Sequence, residues 1–277
     1  MYTLNCKGKL LILDIPLIMG IINVTPDSFY EHHLQEGISG IMALADKMIK
    51  DGADILDIGG QSTRPGSVRI DAITEIERVV PVIKRLVGKY PEIILSIDTY
   101  HHQVAEAAVN AGAVIVNDIS AGNMDKAMLE TVAKLQVPYI CMHMQGTPET
   151  MQSFAAYEDV IKQVLDYFIY KIDECKRAGI VDIIIDPGFG FAKNASQNFS
   201  ILKNLATLKI LDKPILAGLS RKSTIYKTLD VTAAKALNGT TVLNTLALLN
   251  GANILRVHDV KEAKEASLLM QQYEKNY

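Results

Sequence analysis

The stretch Ile94-Leu-Ser-Ile-Asp-Thr-Tyr-His-His-Gln-Val-Ala-Glu-Ala-Ala-Val-Asn-Ala-Gly-Ala-Val-Ile-Val-Asn117 holds one repeat of the fold. Ile94–Ile97 is a short apolar run that ends in the polar residues Asp98 and Thr99. Gln103–Ala111 then carries helical periodicity, and a second apolar run, Val114–Val116, ends in Asn117-Asp118. Near-continuous Ile/Val/Leu runs of this length are what a parallel sheet covered on its outer face by helices requires.

The same alternation extends in both directions. Further apolar runs lie at Leu17–Ile22, Ile55–Ile58, Tyr139–Met142, Ile183–Ile185, Pro214–Leu219 and Ile254–Val257. Amphipathic stretches separate them at Ile38–Lys50, Ile73–Lys89, Ala127–Leu135, Tyr157–Arg177, Phe199–Leu208 and Thr232–Leu249, with Lys261–Tyr273 last. Eight βα units in roughly 250 residues are the number and length of a closed (β/α)8 TIM barrel. The earlier run Leu10–Leu13 predicts a short N-terminal strand or hairpin before the first barrel strand, plugging the barrel floor. A doubly wound open sheet would be favoured by G-x-G-x-x-G after the first strand, and Gly20-Ile-Ile-Asn-Val-Thr25 stands there instead. No linker or low-complexity segment divides residues 1–277, which read as a single domain.

With 28 Lys+Arg against 31 Asp+Glu, the net charge of −3 argues against a nucleic-acid-binding face. Cys6, Cys141 and Cys175 are widely spaced without a C-x-x-C, so they suggest neither a disulfide framework nor a zinc site, and the cytoplasm is the expected compartment. Leu10–Val24 resembles a signal segment only superficially, because Asp14 and Pro16 interrupt it, and no run reaches the roughly 20 apolar residues of a membrane span.

Barrel active sites are built at the C-terminal ends of the strands, so the run ends carry the functional information. In order they present Asn23, Asp57 with Ser62-Thr63-Arg64, Asp98, Asn117-Asp118, His143, Asp186, Ser220-Arg221-Lys222, and Arg256 with His258. Any one of these can be a helix cap or loop hydrogen bond, but a full ring of polar groups at a barrel mouth calls for a polar ligand. Asp98 and Asp186, with Asn117, suit a donor-rich edge such as an amidine or a 2-amino pyrimidinone. Arg64, Arg256, His258 and the Ser220-Arg221-Lys222 turn suit anions, and residues two apart on a strand, such as Arg256 and His258, leave the same face. Paired carboxylates also raise a glycoside hydrolase, which the absence of Trp and the six Phe disfavour. His32-His33 and His101-His102 are adjacent pairs whose side chains diverge, and His143 reads equally as a structural residue or a ligand contact.

Taken together, Gly20-Ile-Ile-Asn-Val-Thr-Pro-Asp-Ser-Phe29, Asp57-Ile-Gly-Gly-Gln-Ser-Thr-Arg-Pro-Gly66 and Ser96-Ile-Asp-Thr99 resemble the dihydropteroate synthase family. So do Val116-Asn-Asp-Ile119, His143-Met-Gln-Gly-Thr-Pro148, Asp186-Pro-Gly-Phe-Gly-Phe191, Gly218-Leu-Ser-Arg-Lys-Ser223 and Arg256-Val-His258, in the family's order and on consecutive βα units. The resemblance implies a transferase of folate biosynthesis, a sulfonamide target, that joins 4-aminobenzoate to 6-hydroxymethyl-7,8-dihydropterin diphosphate and releases diphosphate. It implies that Asp98, Asn117, Asp186 and Lys222 hold the pterin. Asn23, Arg64, Arg256 and His258 would hold the diphosphate with Mg2+, Asn23 being the metal ligand. Thr63, Pro65, Phe191 and Ser223 would line the aminobenzoate site. Asp98, Lys222, Arg256 and His258 would carry the catalysis, in a homodimer. A corrinoid-linked methyltransferase would share the barrel and pterin pocket without needing the Ser-Thr-Arg-Pro loop, and a non-catalytic pterin-binding paralogue would release no diphosphate. Three departures from the family pattern are Tyr30-Glu-His-His33, Gln61 where many members have Glu, and Phe191-Ala-Lys-Asn194 in place of Phe-Gly-Lys-Thr.

Overall fold

Tyr2–Cys6 (β1) and Lys9–Leu13 (β2) open the chain as an antiparallel hairpin, with Tyr2 opposite Leu13 and Cys6 opposite Lys9. Its two-residue turn, Lys7-Gly8, holds both residues at positive φ, the backbone twist that suits right-twisted strands. The computed structural model describes residues 1–25, 34–61, 69–148, 150 and 156–275. In it the expected alternation follows: Leu17–Asn23 (β3), Leu34–Lys50 (α1), Ile55–Gly59 (β4), Ala72–Lys89 (α2), Ile94–Asp98 (β5), His102–Ala111 (α3) and Ile115–Asp118 (β6). Then come Met128–Leu135 (α4), Tyr139–Met142 (β7), Val160–Ala178 (α5), Ile183–Asp186 (β8), Ala195–Lys203 (α6) and Leu216–Ala217 (β9). Ser223–Thr228 (α7), Leu237–Leu249 (α8), Ile254–Val257 (β10) and Val260–Glu274 (α9) complete the order.

The last eight strands are parallel neighbours in the order β8-β7-β6-β5-β4-β3-β10-β9. A parallel bridge between Ile185 and Ile215, with the Ile185 N–H donating to the Pro214 carbonyl at 2.9 Å, joins the two ends and closes the barrel. The (β/α)8 reading holds, with the hairpin where it was expected.

Three expected elements differ. The stretch Thr232–Leu249 is a 3-10 turn at Ala233–Lys235 followed by α8, the break falling at Ala236, whose carbonyl accepts from Thr240 Oγ1. Of Pro214–Leu219, only Leu216–Ala217 forms a ladder. Pro214 has no N–H to give, and the Leu219 carbonyl already accepts from the Lys222 N–H in the turn that follows. The helix expected over Phe199–Leu208 is α6 followed by a 3-10 segment at Leu205–Leu211. Asn204 separates them by donating its side-chain amide to the Ser200 carbonyl, a local bond that competes with helix continuation.

Strand alternation sorts the side chains into two sets. Ile18, Ile22, Leu56, Ile58, Leu95, Ile97, Val116, Tyr139, Cys141, Ile183, Ile185, Leu255 and Val257 pack outward into one core shared with the helices. Met19, Ile55, Ile94, Ile115, Ile140, Ile184, Leu216 and Ile254 face inward, where Leu4, Cys6 and Leu13 of the hairpin meet them as the floor. Each strand rises from this dry layer towards its C-terminal end.

Candidate active site

Two residues beyond the floor, the same inward positions become polar: Ile55 is followed by Asp57, Ile94 by Ser96 and then Asp98, Ile115 by Asn117, Ile184 by Asp186, and Ile254 by Arg256. Strand register brings Asp98 opposite Asn117 and Gly59 opposite Asp98. The Arg256 guanidinium lies at the centre. Its Nε donates to Asp57 Oδ2 at 2.6 Å and its Nη2 to Asp98 Oδ2 at 2.5 Å. Asn117 Nδ2 donates to the same Asp57 oxygen at 2.9 Å.

The second oxygens, Asp57 Oδ1 and Asp98 Oδ1, are buried with no hydrogen-bond partner among the described residues. Leaving such an acceptor unsatisfied costs about 1–3 kcal/mol, so the arrangement is built to accept donors from a ligand. Burial lifts the Asp98 carboxyl above the ordinary range against the pull of Arg256, and the nearby Asp57, Asp118 and Asp186 charges add to the rise. Burial works against the Arg256 charge as well, yet Asp57 and Asp98 together hold it above its usual value.

Asp186 ends β8 and is likewise raised by burial, opposed by Lys222 and by the Gly188 N–H that donates to its Oδ1 at 2.7 Å. Lys222, the N-cap of α7, reaches back to donate to the Phe189 carbonyl at 2.5 Å. Its Nζ stands 4.8 Å from the centre of the Phe191 ring. Burial pushes the Lys222 ammonium down to about 8, with Asp186 opposing. Ser223 is the first residue of α7, as the sequence implied. A Cβ at Gly218 would lie 3.7 Å from Lys222 Nζ and 3.9 Å from Arg256 Cβ, so this glycine lies against both residues.

Arg256 and His258 were expected to share one target, and their described partners differ. Arg256 engages the two carboxylates, while His258 Nδ1 lies 3.0 Å from Ser220 Oγ, which also accepts from the His258 N–H. The Arg256 Nη1 end carries no hydrogen bond to the described residues, so the guanidinium fork can still take an anion. Asn23 closes β3 with an exposed side chain. Thr63, Arg64 and Pro65 lie outside the described residues, as do Phe29 and Tyr30-Glu-His-His33.

Three rim residues serve the scaffold instead. Asp118 faces outward and accepts from Tyr139 Oη at 2.7 Å, from Ser120 Oγ at 2.8 Å and from the Gly122 N–H at 2.8 Å. Arg221 was grouped with the anion-binding turn; its Nε and Nη2 clasp Asp259 at 2.8 and 2.7 Å, and its Nη1 caps the Ala233 and Ala234 carbonyls. His143 lies under α5 against Tyr167 and Lys193. Asp57 is the site residue that the sequence left without a role, although its place two residues after Ile55 is the signal that aims it inward.

The chain matches the family model described as pterin binding enzyme over residues 19–258. It is 41% identical over 265 residues to the dihydropteroate synthase of Escherichia coli K12, covering 95% of this chain and 93% of that protein. Among solved structures it resembles Yersinia pestis dihydropteroate synthase in complex with a sulfonamide drug, with a TM-score of 0.93, 37% identity and coverage of 99% and 100% of the two chains. It also resembles Xanthomonas albilineans dihydropteroate synthase with 4-aminobenzoic acid, with a TM-score of 0.91, 39% identity and 98% coverage of both chains.

Proposed function

The chain belongs to the pterin-binding enzyme family, and from that premise we propose how its barrel mouth performs the dihydropteroate synthase reaction. In that reaction 6-hydroxymethyl-7,8-dihydropterin diphosphate and 4-aminobenzoate give 7,8-dihydropteroate and diphosphate. The observation that carries the site assignment is the inward set of acidic groups, two of whose oxygens have no partner among the described residues, bridged by one guanidinium. Asp98, Asn117 and Asp186 receive the amino-pyrimidinone edge, and Lys222 borders it. Asn23, Arg64, Arg256 and His258 receive the diphosphate. Thr63, Pro65, Phe191 and Ser223 line the aminobenzoate pocket.

Among the described residues no group of three or more His, Cys, Asp or Glu could hold a metal ion. An Mg2+ that arrives on diphosphate needs no such group, because Mg2+ keeps several waters and takes only one or two protein oxygens beside phosphate oxygens. The amide oxygen of Asn23, an exposed residue at the end of β3, is a hard donor of that kind, so the residues present fit the ion. When bound, Mg2+ supplies neutralisation of charge on the diphosphate oxygens.

The C–O bond between the pterin methylene and diphosphate breaks first, its electron pair leaving with diphosphate. Arg256 and His258 stabilise that growing negative charge, and Asp98 opposes the positive charge spread over the pterin ring. The aminobenzoate nitrogen then attacks the methylene carbon and releases its proton to solvent, so no strong general base is required. Mixing both substrates with Mg2+ is expected to release one diphosphate per dihydropteroate formed. Pterin binding without aminobenzoate-dependent release of diphosphate would identify a non-catalytic paralogue.

We read residues 1–277 as one domain of a cytoplasmic homodimer. Three buried free cysteines support the reducing compartment. No helix among the described residues is long and apolar enough to cross a membrane. Support for the dimer comes from α8, which contains no charged residue and exposes Val242, Leu246 and Leu249 next to Leu268, Leu269 and Tyr273 of α9. Light scattering should give twice the chain mass, and the double substitution Leu246→Glu, Leu269→Glu should halve it.

A further inference from the structure

Lys193 is buried at 4% exposure, and the reaction as drawn does not use it. It belongs to the segment that follows β8, which carries the Phe189 carbonyl under Lys222 and the Phe191 ring beside it. Lys193 Nζ contacts His143 Nδ1 at 2.9 Å and donates to the carbonyls of Gly188 and Phe191 at 3.0 Å each and of His143 at 3.3 Å. Burial pushes the Lys193 ammonium down to about 7, with Asp186 opposing, and the three N–H donors of the charged form are shared among these four acceptors. His143, buried against Tyr167 and Phe168, is pushed well below its ordinary range by burial and by Lys193 itself. It therefore stays neutral, with Nδ1 as the acceptor.

The segment depends on this anchor. Gly188 takes φ +68 and presses so close that a Cβ there would lie 2.1 Å from the His143 carbonyl oxygen, while Gly190 and Ala192 also take positive φ. On its far side the segment is held by Asn198, whose Oδ1 accepts from the Gly190 N–H at 2.8 Å. A turn with so many residues in the left-handed region keeps its shape only where its surroundings over-determine it.

We propose that Lys193, seated on His143, is a positioning residue that fixes the Gly188–Phe191 turn, and through it sets Phe191 and Lys222 for binding of the aromatic amine substrate. Pterin recognition depends on it less, since of the four residues assigned to the pterin only Lys222 leans on the turn, while Asp98, Asn117 and Asp186 belong to strands of the barrel itself. Displacement of a positioned group by even about 1 Å can cost two orders of magnitude in rate, so a shift of the turn is readable in kinetics.

The inference rests on the proposed function, and the test separates the two. Lys193→Met keeps the length of the side chain and removes its donors. It is expected to raise the KM for 4-aminobenzoate about 10-fold with kcat falling less than about 3-fold, and to speed amide hydrogen exchange at Gly190 and Phe191 while the floor strands stay protected. Should Lys193→Met fail to fold, His143→Leu removes the acceptor and is expected to give the same pattern. An unchanged KM together with unchanged exchange at the two amides would overturn the proposal, whatever happens to the melting temperature. If the unsubstituted protein releases no diphosphate, the functional reading falls, and the exchange measurement alone still decides whether Lys193 holds the turn.

Discussion

The floor and the mouth of the barrel are built by the same strands, two residues apart. Met19, Ile55, Ile94, Ile115, Ile140, Ile184, Leu216 and Ile254 close against the hairpin as a dry layer. One step further, Asp57, Ser96, Asn117, Asp186 and Arg256 occupy the same inward register. Burial acts on both and produces opposite designs. At the floor it pushes the Cys6 thiol up to about 12, aided by Asp182 and opposed by Lys9, which leaves an inert small hydrophobe. At the mouth it forces charges of both signs together around Arg256 and leaves carboxylate oxygens without donors among the described residues. The lesson is that strand parity specifies the site as strictly as it specifies the core: a one-residue slip would exchange Asp57 for Ile58.

The largest effect should come from breaking the mouth. Arg256→Met leaves Asp57 and Asp98 buried without their cation, and removal of one partner from a buried pair typically costs about 3–5 kcal/mol. Chemical denaturation should show that loss at pH 8, with partial recovery at pH 6 as the Asp98 carboxyl, lifted to about 7 by burial, protonates. Activity should fall with it, because the same side chain is proposed to stabilise the leaving group.

Ile184→Ala tests the floor. A cavity at a fully buried Ile should cost about 2–4 kcal/mol by the same measurement. Unlike the mouth substitution, it should leave no pH dependence in the difference from the parent.

The smallest effect concerns the support beside the mouth. Glu75 of α2 is buried, accepts from Gln61 Nε2 at 3.0 Å and from Thr99 Oγ1 at 3.1 Å, and is pushed up to about 8, chiefly by burial. The folded state therefore holds a proton that the unfolded chain gives up from about pH 4.5. The stability cost of Glu75 is absent below that pH and grows as pH rises to about 8. Glu75→Gln should flatten the fall in stability between pH 5 and 8 and leave the protein more stable than the parent at pH 8, by urea denaturation at each pH.

Much of this was legible from residue order, because period and punctuation are local properties. The eight runs, the second hairpin strand at Leu10–Leu13 and the polar run ends follow from apolar runs broken by Gly, Asn, Asp and Ser, whereas the first hairpin strand, Tyr2–Cys6, was not read from the sequence. Orientation was less accessible. Asp118 and His143 stand at run ends like Asn117 and Asp186, but their odd register turns them towards the helices, where Tyr139 and Lys193 meet them. Arg221 looks like an anion ligand until Asp259, distant in sequence, is placed beside it. Lys193 and Glu75 act through partners 50 and 24 residues away, His143 and Thr99, which no local pattern signals.

The most direct test of the account compares two residues of β8 that face the same interior, Asp186 and Ile184. Calorimetric titration of diphosphate-free 6-hydroxymethylpterin should show affinity reduced at least about 10-fold by Asp186→Asn, since a charge-assisted acceptor is worth roughly 1.5–3 kcal/mol, and changed less than about 2-fold by the destabilising Ile184→Ala. Equal affinity in Asp186→Asn and the unsubstituted protein would place the pterin elsewhere and contradict the assignment of the mouth.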